Sequence, residues 1–264
     1  MKKPDISLYS DLMHSALSAL SPRVDWPKAI AVTGALGSGK TEWVLNLALG
    51  FKSLGETITI ADMDIINPYF CIRQVAEILG DKGFKIITPP ESSRWSDMSI
   101  VSPQVLWALG EETGRLLLDI GGDAEGALAL KQFEPDIREA GYLLILVVNS
   151  FRPHTSTPEA IEKMLLKMEQ IGGLSVGALI SNSHLMEQTS PSDVADGLTV
   201  VKEAGERLGL PVLCAGVSPD LHCRTAELFA EREISVPLWP LFRYMMLPWE
   251  EGAMWSQGTL EHKD

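Results

Sequence analysis

The chain has 264 residues, 45% hydrophobic and 22% charged. That composition belongs to ordinary globular proteins long enough to bury a sizeable core, so disordered and fibrous classes drop out. The 22 Lys and Arg against 35 Asp and Glu give a formal net charge of −13 at pH 7, which repels phosphate backbones and anionic bilayers and argues against nucleic acid as a partner.

Residues 1–27 carry Leu8, Leu12, Met13, Ala16, Leu17 and Leu20 at helical spacing ahead of Pro22, which predicts an amphipathic helix packed on the domain. Asp5, Asp11 and His14 interrupt what would otherwise be a signal peptide's apolar core. The longest apolar run, YLLILVV at 142–148, is far short of the roughly 20 residues of a spanning helix, so no stable membrane insertion is expected. Cys71, Cys214 and Cys223 are odd in number and form no C-x-x-C pair. Buried, reduced thiols in the cytoplasm are the expectation, with Cys71 close enough to an acidic motif to be reactive.

Strand-like runs follow at 29–33, 57–61, 84–88, 115–120, 142–148, 175–180 and 211–216, and helical patterns at 40–54, 69–80, 102–113, 156–170 and 192–208. Strands alternating with helices predict an α/β, doubly wound, mostly parallel sheet of about seven strands with helices on both faces, spanning residues 28–237. Residues 238–264, rich in Trp, Met and Pro, read as a tail packed on the same domain.

The first strand runs into GALGSGKT, Gly34 to Thr41, a complete P-loop pattern in its required strand-before, helix-after setting. Gly34, Leu36, Gly37, Ser38, Gly39, Lys40, Thr41 and Glu42 form the predicted nucleotide cradle. Loop amides hold the β-phosphate at a helix start, Lys40 reaches the β- and γ-phosphates, and the Thr41 hydroxyl ligates Mg²⁺. LLLDIGGD supplies Asp119 at the end of an apolar strand, with Gly121 and Gly122 letting the next backbone approach a γ-phosphate. In ADMDIINPYF, Asp62 and Asp64 stand two apart at a strand end, so both can project toward the sheet edge where ligands bind. Asp62 is assigned to the Mg²⁺ shell with Thr41 and Asp119, and Asp64 to orienting the attacking water. In FRPHTSTPEA, Thr157 and Pro158 read as a helix start, and His154, without an evident partner, is kept off the site.

These motifs resemble the MinD/ParA/CobQ-type (SIMIBI) branch of P-loop ATPases over most of residues 28–220, and more closely a bacterial set of CobQ/CobB/MinD/ParA nucleotide-binding-domain proteins. The resemblance implies ATP and Mg²⁺ as cofactors, with hydrolysis carried by Lys40, Thr41, Asp64 and Asp119, and a possible homodimer. One departure is Ala35, where such proteins carry a signature lysine; Arg73, Arg94 and Arg152 are the candidate replacement cations. GSGKT also resembles nickel-inserting GTPases, but their guanine-selecting N-K-x-D reads N-S-H-L here, leaving Asn182 without the lysine and aspartate. Adenine is therefore expected, contacted by Asn182, with Pro219 in the loop flanking the base. The leading expectation is slow ATP hydrolysis that signals nucleotide state (ATP or ADP) through switch segments to an unidentified protein partner. An ATP-dependent small-molecule ligase of the CobQ/CobB or dethiobiotin-synthetase kind and a non-hydrolysing nucleotide-binding module are the alternatives.

Overall fold

The run AIAVT, built of small and β-branched residues, becomes β1 (Ala29–Thr33), buried at every position as a strand covered on both faces must be. The structure, a computed structural model, describes residues 6–64, 72, 75–89, 101–122 and 124–245. Seven further strands join β1: β2 (Ile58–Met63), β3 (Lys85–Ile87), β4 (Arg115–Ile120), β5 (Tyr142–Val148), β6 (Val176–Ser181), β7 (Val212–Val217) and β8 (Leu238–Pro240). They lie in the order β3-β2-β4-β1-β5-β6-β7-β8, and every pairing is parallel. This is the expected doubly wound α/β P-loop fold, with eight strands in place of about seven. The addition is β8, too short and too rich in flanking prolines to show a strand period.

The helices are α1 (Ile6–Leu20), α2 (Lys40–Ser53), α3 (Ala76–Asp81), α4 (Gln104–Gly110), α5 (Ala124–Gln132), α6 (Glu134–Ala140), α7 (Pro158–Gly172), α8 (Pro191–Leu208) and α9 (Pro219–Glu231). One apolar layer joins Leu17 and Leu20 of α1 to Trp43, Leu47 and Phe51 of α2 against Val32, Ile60, Leu117 and Ile145. The opposite layer sets Phe133, Ile137, Ile161 and Leu165 on Ala31, Leu118 and Leu146. The α7 start is the predicted one, with the Thr157 side chain accepting from the Ala160 N–H and Pro158 in the first turn.

Two features depart from the expected pattern. Helices α5, α6 and α9 lie outside the predicted helical patterns; α9 buries Thr225 and Phe229, with Leu221 and Leu228 partly covered. Cys214 is buried as expected, but Cys223 lies on α9's solvent side and is exposed; Cys71 falls outside the described residues. Among the described residues no helix is long and apolar enough to cross a membrane.

The C-terminal segment up to Met245 packs as a strap along α2. Trp239 is fully buried, its ring centroid 5.6 Å from that of Trp43. Asn46 of α2 then grips Phe242 twice: its Nδ2 donates to the Phe242 carbonyl at 2.8 Å and its Oδ1 accepts from the Phe242 N–H at 2.9 Å.

Candidate nucleotide-binding site

Strand register brings the acids together. Asp62 on β2 and Asp119 on β4 are direct neighbours, and Asp119 is also level with Val32 on β1, one residue before the strand gives way to the P-loop. The C-terminal edge of a parallel sheet is where open α/β folds bind ligands. The Thr33 hydroxyl donates to the Gly121 carbonyl at 3.3 Å, tying the two strand ends. A Cβ on Gly122 would overlap the Gly34 carbonyl oxygen, so glycine is what allows the D-I-G-G backbone to lie on the phosphate loop.

Lys40 and Thr41 open α2 and are both buried. The Thr41 hydroxyl donates to Asp119 Oδ2 at 2.7 Å. Lys40 Nζ lies 2.7 Å from Asp64 Oδ2, and the Asp64 N–H donates to Asp62 Oδ1 at 3.1 Å. Burial pushes the Asp119 carboxyl up to about 7; the Lys40 ammonium and the Thr41 hydrogen bond pull it down, and the Asp62 and Asp64 carboxylates push it further up. Three acids crowded beside one ammonium require additional positive charge to stay ionised together.

Mg²⁺ fits this set. Asp119 Oδ1 is buried with no hydrogen-bond partner among the described residues, an acceptor left over beside the Thr41 hydroxyl. Among the described residues no group of three or more His, Cys, Asp or Glu side chains could hold a metal. A dedicated protein cage is not what Mg²⁺ requires, since it keeps waters and takes phosphate oxygens with one or two protein ligands.

Beyond the phosphate loop opens a cavity of about 710 Å³, within the range of small-molecule sites. Gly37, Gly39, Lys40 and Thr41 line one end. Asn182, Ser183, His184 and Glu187 form one wall; Gly216, Ser218, Asp220 and Leu221 another; Phe242, Arg243 and Met245 of the strap a third. Asn182 Nδ2 donates to the Ser38 carbonyl at 2.7 Å, fastening the end of β6 to the P-loop. Pro219 is the first residue of α9, between two residues that line the cavity.

The expected site residues therefore converge, with differences of detail. Glu42 lines the cavity, yet its carboxylate accepts from the Tyr244 and Met245 N–H groups at 2.8 and 2.7 Å: it anchors the strap. Burial pushes that carboxyl up to about 7 against those two bonds. Leu36 is 76% exposed at the loop tip, whereas Ala35, at the signature-lysine position, is buried. Arg152 reaches the P-loop, its Nε donating to the Gly37 carbonyl at 3.2 Å; Arg73 and Arg94 lie outside the described residues. The strap wall and His184 are not expected from the sequence motifs. Asn46, a polar residue amid the apolar positions of α2, is the signal that could have pointed to the strap, because a buried amide needs partners.

No protein-family model matches the chain, and no curated protein sequence matches it. Solved structures do. FtsY from Mycoplasma mycoides aligns over 80% of this chain and 69% of its own, with a TM-score of 0.53 and 17% identity. Cell division protein FtsY from Thermotoga maritima aligns over 80% and 70%, with a TM-score of 0.54 and 20% identity. Signal recognition particle 54 kDa protein from Aeropyrum pernix, solved in complex with GDP, aligns over 78% of this chain and 46% of its own, at a TM-score of 0.50 and 18% identity. Identities this low show the fold alone: the α/β P-loop NTPase fold is shared with these proteins, and the narrower MinD/ParA/CobQ resemblance rests on the motifs.

Proposed function

We propose that the chain binds a Mg²⁺-complexed purine nucleoside triphosphate, ATP in the first reading, and slowly hydrolyses its terminal phosphoanhydride. The supporting observation is the Thr41–Asp119 hydrogen bond beside the Lys40–Asp64 pair at the edge of a parallel sheet, with an unpartnered Asp119 oxygen between loop and acids. Thr41 and Asp119 would hold the ion, with Asp62 in its hydration shell, and the ion when bound neutralises charge on the β- and γ-phosphate oxygens. Lys40, now on Asp64, transfers its ammonium to those oxygens as the phosphates enter. Asp64 is thereby released to accept a hydrogen bond from the attacking water, whose oxygen bonds to the γ-phosphorus as the β–γ bridging bond breaks. The segments that begin at Asp64 and Asp119 carry the nucleotide state outward. Leu36 and Phe151, exposed beside the P-loop, offer apolar contact to a protein partner or a second copy.

Adenine is favoured because Ser183 and Leu185 stand where a guanine-selecting element carries lysine and aspartate. A guanine reading has its own support: Glu187 and Asp220 line the cavity and are the acceptors that guanine's N1–H and N2–H groups would use, and the Aeropyrum pernix relative was solved with GDP. Turnover with Mg·ATP and Mg·GTP, each alone, tests both. Release of inorganic phosphate from one of them, abolished in Lys40→Ala, is expected. Binding without release from wild-type protein would favour the non-hydrolysing module, and release only when a metabolite extract is added would favour the ligase.

A further inference from the structure

Arg152 sits in the loop after β5, and its side chain lies on the P-loop in a particular way. Its Nε donates to the Gly37 carbonyl at 3.2 Å. A Cβ built on Gly37 would meet Nε, Cζ and Nη2 at 2.9, 3.0 and 3.0 Å; three atoms of one plane at nearly one distance mean that the guanidinium lies broadside on that glycine. Any larger residue at position 37 would displace it. The same side chain lines the cavity together with Asn182, Ser183 and His184. Lys40 and Thr41 belong to the same lining, whereas Asp64, Asp119 and Gly122 do not.

Ser183 is buried; its Oγ accepts from the Ser150 N–H at 3.2 Å and shares a hydrogen bond with Ser150 Oγ at 2.9 Å. It packs against Gly197, where a Cβ added to that glycine would overlap the Ser183 side chain. Two residues after Ser150 the chain delivers Arg152. Within a chain of net charge −13, the cations Lys40, Arg152 and Arg243 line the cavity together with the acids Glu42, Glu187 and Asp220. His184, facing Arg152 and Arg243, is held neutral by burial first and by those two cations second, so the wall beside Arg152 presents an uncharged ring and a flat cation.

Resting on the nucleotide-site reading above, we propose that Arg152 is the residue that holds the nucleoside half of the ligand, its guanidinium plane laid against the purine and ribose, and is not an arginine for the γ-phosphate. A planar, weakly hydrated guanidinium stacks on aromatic faces where an ammonium does not. Its bond to Gly37 fixes the plane before the ligand arrives.

Affinities of wild type, Arg152→Ala and Arg152→Lys for Mg·ATP, Mg·ADP and Mg·tripolyphosphate test this by calorimetry, with the same comparison for GTP and GDP if guanine is the base bound. Arg152→Ala is expected to weaken ATP and ADP alike, by about 10-fold, as loss of a stacked cation implies, and to weaken tripolyphosphate at least threefold less. Arg152→Lys, which keeps charge and loses the plane, is expected to recover only part of the loss. A penalty on ATP and tripolyphosphate that spares ADP would place Arg152 at the γ-phosphate and overturn the proposal. An equal penalty on all three ligands would reduce it to a brace of the loop, and no penalty would also refute it. Wild-type protein that binds none of the ligands would sink the site reading itself, an outcome distinct from any pattern confined to the variants.

Discussion

Lys40 Nζ lies 2.7 Å from Asp64 Oδ2, with both side chains almost sealed from solvent. The proposed phosphate-binding cation is therefore already occupied by the proposed water-orienting acid. A buried pair of this kind contributes little net stability, and the Asp119 carboxyl also feels the same ammonium. The ligand's phosphates and Asp64 compete for one ammonium.

Asp64→Asn is expected to separate binding from turnover. The amide no longer holds Lys40 by charge, so Mg·nucleotide affinity is retained or raised, while hydrolysis falls by about 10²-fold or more through loss of the acceptor for the attacking water. Equilibrium binding beside single-turnover hydrolysis checks this. Affinity and turnover falling together would mean that Asp64 serves binding alone.

The strap should answer to Asn46. Asn46→Ala removes both bonds to Phe242 and the one to the Glu42 carbonyl, a loss of about 1–3 kcal/mol that lowers the unfolding midpoint by roughly 2–4 °C per kcal/mol in a chain of this size. Asn46→Asp keeps the acceptor but sets a buried carboxylate oxygen against the Glu42 and Phe242 carbonyl oxygens, so it should be no more stable than alanine. Thermal unfolding of the three proteins checks the order.

His184 gives apo-protein stability a pH dependence of known sign. Burial first, then Arg152 and Arg243, lower its pKa from 6.5 to about 4, and its Nδ1 accepts from the Met186 N–H at 3.4 Å. Between pH 6.5 and 4 the unfolded chain binds the proton and the folded chain does not, so stability falls with falling pH by on the order of 1–3 kcal/mol. Urea denaturation at pH 7 and pH 4.5 is expected to show this drop in wild type and a smaller one in His184→Gln.

Glu42 acts in the opposite sense. With its folded pKa raised by burial from 4.5 to about 7, the folded state holds the proton that the unfolded state has released. Stability from this group is full below about pH 4.5 and declines as pH rises toward 7, by up to about 3 kcal/mol. Glu42→Gln should flatten that part of the profile in metal-free protein, measured by the same denaturation series.

Much of this was legible because it follows from local rules. GALGSGKT needs only its own glycines, lysine and threonine to be read, and AIAVT, RLLLDI and YLLILVV declare strands by unbroken apolar character. The position of Asp119 beside Thr41 was inferable because a strand-end acid in a parallel sheet lies at the ligand edge. Other features depend on contacts between residues far apart in sequence. Glu42 looks like a phosphate-loop residue until Tyr244 and Met245 are seen to occupy its carboxylate. Arg152 stood equal with Arg73 and Arg94 until its contact with Gly37 was visible. β8 forms because β7 offers it an edge and Trp43 a partner for Trp239, and neither cue exists within three residues.

Calorimetric titration of Mg·ATP and Mg·GTP into wild type and Lys40→Ala tests the central claim most directly. The account predicts saturable heat with wild type for at least one of the two, weakened at least 10-fold by loss of the ammonium, a difference of about 1.4 kcal/mol. Wild-type protein giving no heat with either nucleotide at millimolar concentration, or Lys40→Ala binding as tightly as wild type, would contradict it.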